Sequence, residues 1–134
     1  MLGTQTICVG TLLLICLTSC ADRPAPAEAA NGSCMSDGRI VNSCYEMHGR
    51  IRVYANMKPY LWPVGTKKLF GIAFVNDAVD APYFWPTNLA SAVSLDTDIF
   101  GDFYVCPFTP LENGKMQIVC IDSAEHLVAV PHGH

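Results

Sequence analysis

Seven cysteines and four histidines are the residues of this 134-residue chain best suited to covalent, metal or acid–base chemistry. Cys8, Cys16 and Cys20 lie within or at the end of an apolar N-terminal run, whereas Cys34, Cys44, Cys106 and Cys120 are separated by 9, 61 and 13 residues. No two of those four stand close together as the ligand pairs of zinc sites do, so two disulfides are expected and a metal is not. A calcium loop starting at Asp96 in "DTDIFGD" fails as well. Asp98 and Gly101 fit the template, but Phe100 and Pro107 occupy positions that must supply oxygen ligands. Nucleophilic catalysis needs an activated Ser or Cys beside a base. His48 falls on the polar side of a strand pattern, His126 lies near the domain's end, His132 and His134 belong to the terminal "PHGH", and no Gly-x-Ser-x-Gly element is present. The sequence therefore assigns no catalytic residue, no metal and no cofactor.

The most specific local feature is a repeated pentapeptide. "PYLWP" at 59–63 returns as "PYFWP" at 82–86, and the two contain both tryptophans of the chain. Proline at both ends argues against a helix or a central strand, so each copy is read as a strand end or loop that carries aromatic rings. Tyr60, Trp62, Tyr83 and Trp85 are the candidate set. They would form either an exposed platform for a glycan ring or a proline-rich peptide, or a lid over the core. The lid is expected, because aromatic side chains bury much area and a small domain needs it. The intervening 18 residues, 64–81, suffice to cross a small barrel and return, which would place both copies at one end.

Strand patterns dominate the elements that must position these groups. In "YEMHGRIRVYA", Met47, Ile51 and Val53 alternate with Glu46, His48, Arg50 and Arg52, the period of two of a half-buried strand. "TKKLFGIAFV" is apolar on both faces after its lysines, with Gly71 marking a bend, and "GDFYVC" and "KMQIVCI" are two further strands. "PTNLASAV" is the helical segment, with Thr87 as its expected cap and Leu89 and Val93 on one face. The expected fold is mainly β: a small curved sheet or five-stranded, OB-like barrel with one short helix. If "ENG" makes a hairpin loop with Gly114 in the left-handed conformation, Leu111 faces Lys115 and Cys106 faces Cys120. That facing predicts a Cys106–Cys120 bridge, and Cys34 would then join Cys44 by elimination.

Charge is unevenly distributed. Six basic residues lie between Asp37 and Lys68 against two acids, and eight acids lie beyond Lys68 against Lys115 alone. Neither group is a dense block, so each is read as a solvated face. The net charge of −4, together with an N-terminal export signal, argues against sequence-specific nucleic-acid binding.

From Ile7 to Leu17 only Gly10 and Thr11 interrupt the apolar residues, about half the roughly 20 residues that a membrane-spanning helix needs. "ADRPAPAEAANGS" follows, so the run is a signal-peptide core, although no Lys or Arg precedes it. Residues 17–20, Leu-Thr-Ser-Cys, resemble the lipobox of bacterial lipoproteins. That resemblance implies cleavage before Cys20, acylation of Cys20 and, with Ala21 next, retention at the outer membrane facing the periplasm. Each buried methylene adds about 0.8 kcal/mol, so two or three acyl chains make a lasting membrane anchor. The organisation is a signal peptide at 1–19, a lipidated Cys20 with a tether to residue 33, one β-rich domain at 34–130 and a tail at 131–134. "HGR" at 48–50, "WPVGT" at 62–66, "FGDFYVCPFT" at 100–109 and "VC" at 119–120 resemble the pattern of a group of small bacterial exported proteins that brings no known activity. The expected function is binding or scaffolding of a protein or glycan partner at the envelope. The alternatives are a periplasmic inhibitor or modulator of another protein, and a hydrolase.

Overall fold

The computed structural model describes residues 33–78 and 80–132. Cys20, the signal segment, most of the tether and His134 lie outside them. Five strands, β1 (Tyr45–Val53), β2 (Pro59–Pro63), β3 (Phe70–Ile72), β4 (Thr97–Pro107) and β5 (Gln117–Pro131), and one helix, α1 (Thr87–Ala92), make up the domain. The strands close in the ring order β1-β2-β3-β5-β4, antiparallel throughout except for the parallel β3–β5 pair. The helix lies between β3 and β4, which is the OB-like arrangement the strand pattern suggested.

Alternation along β1 turns Ile51 and Val53 inward, and Ile51 joins a core of Leu61, Phe70, Ile72, Ile99, Phe103, Val105, Val119 and Ile121. α1 covers this core with Leu89, which is fully buried. Its cap position is Pro86, one residue before the expected Thr87, and no side chain caps it. Within the helix the Ser91 hydroxyl donates back to the Thr87 carbonyl at 2.9 Å.

Two glycines let the wall close tightly. Gly49 and Gly101 face each other across β1 and β4. A Cβ at Gly49 would stand 2.7 Å from Leu61 Cδ1, and one at Gly101 would stand 2.6 Å from Leu127 Cδ2. Beside Gly101 the β4–β5 register slips between Phe100 and Asp102, a bulge that His126 completes with φ +53°.

Several sequence readings change in the fold. "PYLWP" is a whole inner strand, β2, flanked by β1 and β3. Its prolines are tolerated because β3 pairs only with Tyr60 and Leu61, so neither proline needs to donate to that ladder. β3 is three residues long, and β5 runs to Pro131, well past "KMQIVCI". His132 is also held, its amide donating to the Asp96 carbonyl at 2.9 Å.

The disulfides pair Cys34 with Cys120 and Cys44 with Cys106, at Cα separations of 6.2 and 4.2 Å. The expected facing of Cys106 and Cys120 is present in the β4–β5 ladder, and Gly114 is left-handed with φ +76°. The expected Cys106–Cys120 and Cys34–Cys44 bridges are not formed, because facing did not decide bonding. A short 3-10 turn at Cys34–Ser36 is tied to β5 through Ser33 Oγ, which donates to Asp122 Oδ1 at 2.9 Å, and this brings Cys34 onto Cys120. Cys44, just before β1, then reaches Cys106 on the neighbouring β4. Arg39 fastens the intervening segment. It pairs with Asp37 at 2.9 Å, donates to the Val75 carbonyl at 2.7 Å and lies over the Phe108 ring at 4.6 Å.

Candidate binding face

The outward residues of four neighbouring strands form cross-strand rows. The central row runs Trp62, Arg50, Phe100, Val128 across β2, β1, β4 and β5, each next to the last in register. On one side Tyr60 pairs with Arg52 and Asp98 with Val130. On the other side His48 pairs with Asp102, which faces Glu125.

Asp98 is the anchor of the face. Only 6% exposed, it receives Arg52 Nε at 2.7 Å and Nη2 at 2.6 Å on its two oxygens, and His132 Nε2 at 2.8 Å. The Arg52 bonds hold its carboxyl below the ordinary carboxylate range against the opposing effect of burial, with His132 and Arg50 adding to the lowering. Arg52 is in turn raised by the same carboxylate. With two bonds from Arg52 and one from His132, Asp98 keeps Arg50 at 3.7 Å, beyond hydrogen-bond length. The Arg50 guanidinium sits over the Trp62 ring at 4.7 Å, and Trp62 leans on Tyr54 at 6.3 Å.

Arg50, Trp62 and Phe100 bound an open groove of about 530 Å³, whose other wall is the turn from Pro63 to Lys67. That wall is internally tied: Thr66 Oγ1 donates to the Pro63 carbonyl at 2.9 Å and accepts from the Lys68 amide at 3.2 Å.

Asp102 holds two imidazoles at once, His48 Nδ1 at 2.8 Å on one oxygen and His126 Nδ1 at 2.9 Å on the other. Those two bonds lower its carboxyl, His48 contributing first. The left-handed backbone at His126 is what turns that ring toward Asp102.

The four aromatic candidates divide. Tyr83 and Trp85, with centroids 5.2 Å apart, pack against the core at the barrel's end. Tyr60 and Trp62 stand on the outer sheet. Tyr60 and Tyr83 do meet in a small crevice of about 160 Å³, where Tyr83 stacks on Phe74 at 4.8 Å. Burial, with Tyr60 adding, pushes the Tyr83 phenol up.

The sulfurs of Cys34, Cys106 and Cys120 lie within 4.8 Å of one another, all buried. Each is bonded in a disulfide and so offers no thiolate to a metal.

Sequence reasoning did not assemble Arg50, Phe100, Asp98 and Asp102 into one surface. A signal existed: His-x-Arg-x-Arg at 48–52 and Asp-x-Phe-x-Asp at 98–102 are complementary when read antiparallel. No protein-family model matches the chain, and no curated protein or solved structure matches it.

Proposed function

We propose that this chain is a lipid-anchored protein of the bacterial envelope whose small disulfide-bonded β domain is a binding module. The apolar run and Leu-Thr-Ser-Cys at 17–20 support the anchor. The observation that carries the binding role is the row Trp62, Arg50, Phe100, which places aromatic rings and a cation side by side on rigid strands above a groove. Arg and Trp are the side chains that most often dominate binding energy at such surfaces. The partner is a protein or glycan of the envelope, met at the reach of the tether.

Two measurements test the two halves of this reading. Metabolic labelling with a clickable fatty acid marks the wild type and leaves Cys20→Ala unlabelled and unprocessed; equal labelling removes the anchor. Pull-down from detergent-solubilised envelope with the intact lipoprotein recovers a partner that Trp62→Ala together with Arg50→Gln loses. Recovery unchanged by the double variant moves the binding surface elsewhere.

A further inference from the structure

We infer that the groove beside Arg50 takes an acidic sugar ring, its anionic group pairing with Arg50 and Lys67 while its apolar ring face lies against Phe100 and Trp62. This rests on the reading of the outer face as the binding surface and names the ligand class.

Charge comes first. Arg50 and Lys67 line the groove and no carboxylate does, while Asp98 beside it is paired with Arg52, so the groove itself carries positive charge on a chain whose net charge is −4. That charge has a specific location. Arg52 is spent on both oxygens of Asp98, whereas Arg50 Nη1 reaches it only as a longer ion pair at 3.7 Å, without a hydrogen bond. Contact with the indole at 4.7 Å restrains Arg50 and leaves N–H donors for a second anion. A carboxylate or phosphate arriving there meets a cation already ordered, so it gains a charge-assisted pair without freezing a long side chain.

Shape supplies the rest. Phe100 and Trp62 flank Arg50 in one row and, with Pro63 and Val64, give the groove an apolar lining next to its cations. A pyranose carrying an acid presents the same combination, a C–H face beside a negative group. The volume, about 530 Å³, lies within the range of about 300–1,000 Å³ common for small-molecule sites. A bare anion would leave the aromatic lining unused, and a neutral sugar would leave the cations unused.

The experiment uses the full lipoprotein in neutral detergent micelles, titrated by calorimetry with trigalacturonate, maltotriose and inorganic phosphate, and with vesicles of phosphatidylglycerol. Trigalacturonate binds saturably, and about tenfold or more tighter than maltotriose or phosphate. Arg50→Gln weakens trigalacturonate about tenfold and Lys67→Gln by a smaller factor, both with cooperative melting retained, while Lys58→Gln, beside the end of β2 opposite the turn that walls the groove, changes nothing. Equal binding of maltotriose, or of phosphate alone, overturns the inference. So does trigalacturonate binding that Arg50→Gln leaves intact, and so do phosphatidylglycerol vesicles that compete at the same residues with equal affinity. Should no acidic saccharide bind while the envelope partner still depends on Arg50 and Trp62, the ligand class is wrong and the binding face stands.

Discussion

Replacing Asp98 by Asn tests whether the ion pairs under the outer face hold the barrel together. The substitution keeps shape but removes the charge that two Arg52 nitrogens meet at 2.6 and 2.7 Å and His132 meets at 2.8 Å. Breaking a fully buried pair costs about 3–5 kcal/mol. Asp98 is nearly buried, but the Arg52 side chain is 32% exposed, so water takes over part of the lost interaction and the expected loss is about 2 kcal/mol. For a domain of this size that corresponds to a fall in Tm of about 10 °C. The pH dependence follows from the lowered carboxyl of Asp98. Its contribution is complete above the unfolded value of about 3.9 and disappears as pH falls through the lower folded value, so wild type and Asp98→Asn converge only in strong acid. Thermal unfolding by circular dichroism between pH 2 and pH 7 reads both effects. Equal melting at pH 7, or a gap that persists undiminished at pH 2, would refute the reasoning.

The remaining predictions concern the sulfurs and the tryptophans. Non-reducing peptide mapping recovers Cys34 joined to Cys120 and Cys44 to Cys106, and a Cys106–Cys120 peptide would contradict the fold. The separations of 86 and 62 residues make either bridge alone worth about 4 kcal/mol in the chain-entropy model, so replacing one pair by Ala lowers stability markedly in chemical denaturation. Trp85→Ala loses about 3 kcal/mol because the ring packs on the core, whereas Trp62→Ala, against Tyr54 and Arg50 on the outer sheet, loses about 1 kcal/mol. The opposite order in denaturant melts would exchange the roles assigned to the two pentapeptides.

What the sequence made legible was what short-range pattern determines. The alternation in "HGRIRV" placed Ile51 and Val53 inward, and β3, β4, β5 and the one helix followed from similar runs, whereas β2 was read as a strand end or loop. The two pentapeptides show where pattern fails. They are nearly identical, yet "PYLWP" became β2 while "PYFWP" became a loop with one bridge, Phe74 to Tyr83. The difference lies in their neighbours. Five positions of the first find β1 partners, from Val53–Pro59 to Gly49–Pro63, and the second is drawn toward the core ahead of α1. Composition within five residues cannot encode that.

The cysteines give the sharper form of the same lesson. The local hairpin logic correctly set Cys106 opposite Cys120, yet each sulfur bonds elsewhere, because Cys34 and Cys44 arrive from a segment that no local rule positions. That segment is fixed by contacts distant in sequence: Ser33 on Asp122, and Arg39 on Val75 and Phe108. The outer face has the same origin. Arg50 is one of several basic residues in a solvated stretch until Asp98, nearly fifty residues later, engages Arg52 and leaves Arg50 to Trp62. A site whose selectivity depends on which of two arginines remains available is therefore a property of register. Shifting β4 by one residue against β1 would turn Asp98 inward and Ile99 outward, removing the groove's cation arrangement and the core's Ile99 together. Fold stability and the binding face thus stand on the same pairing, and a variant that loses one through register loses the other.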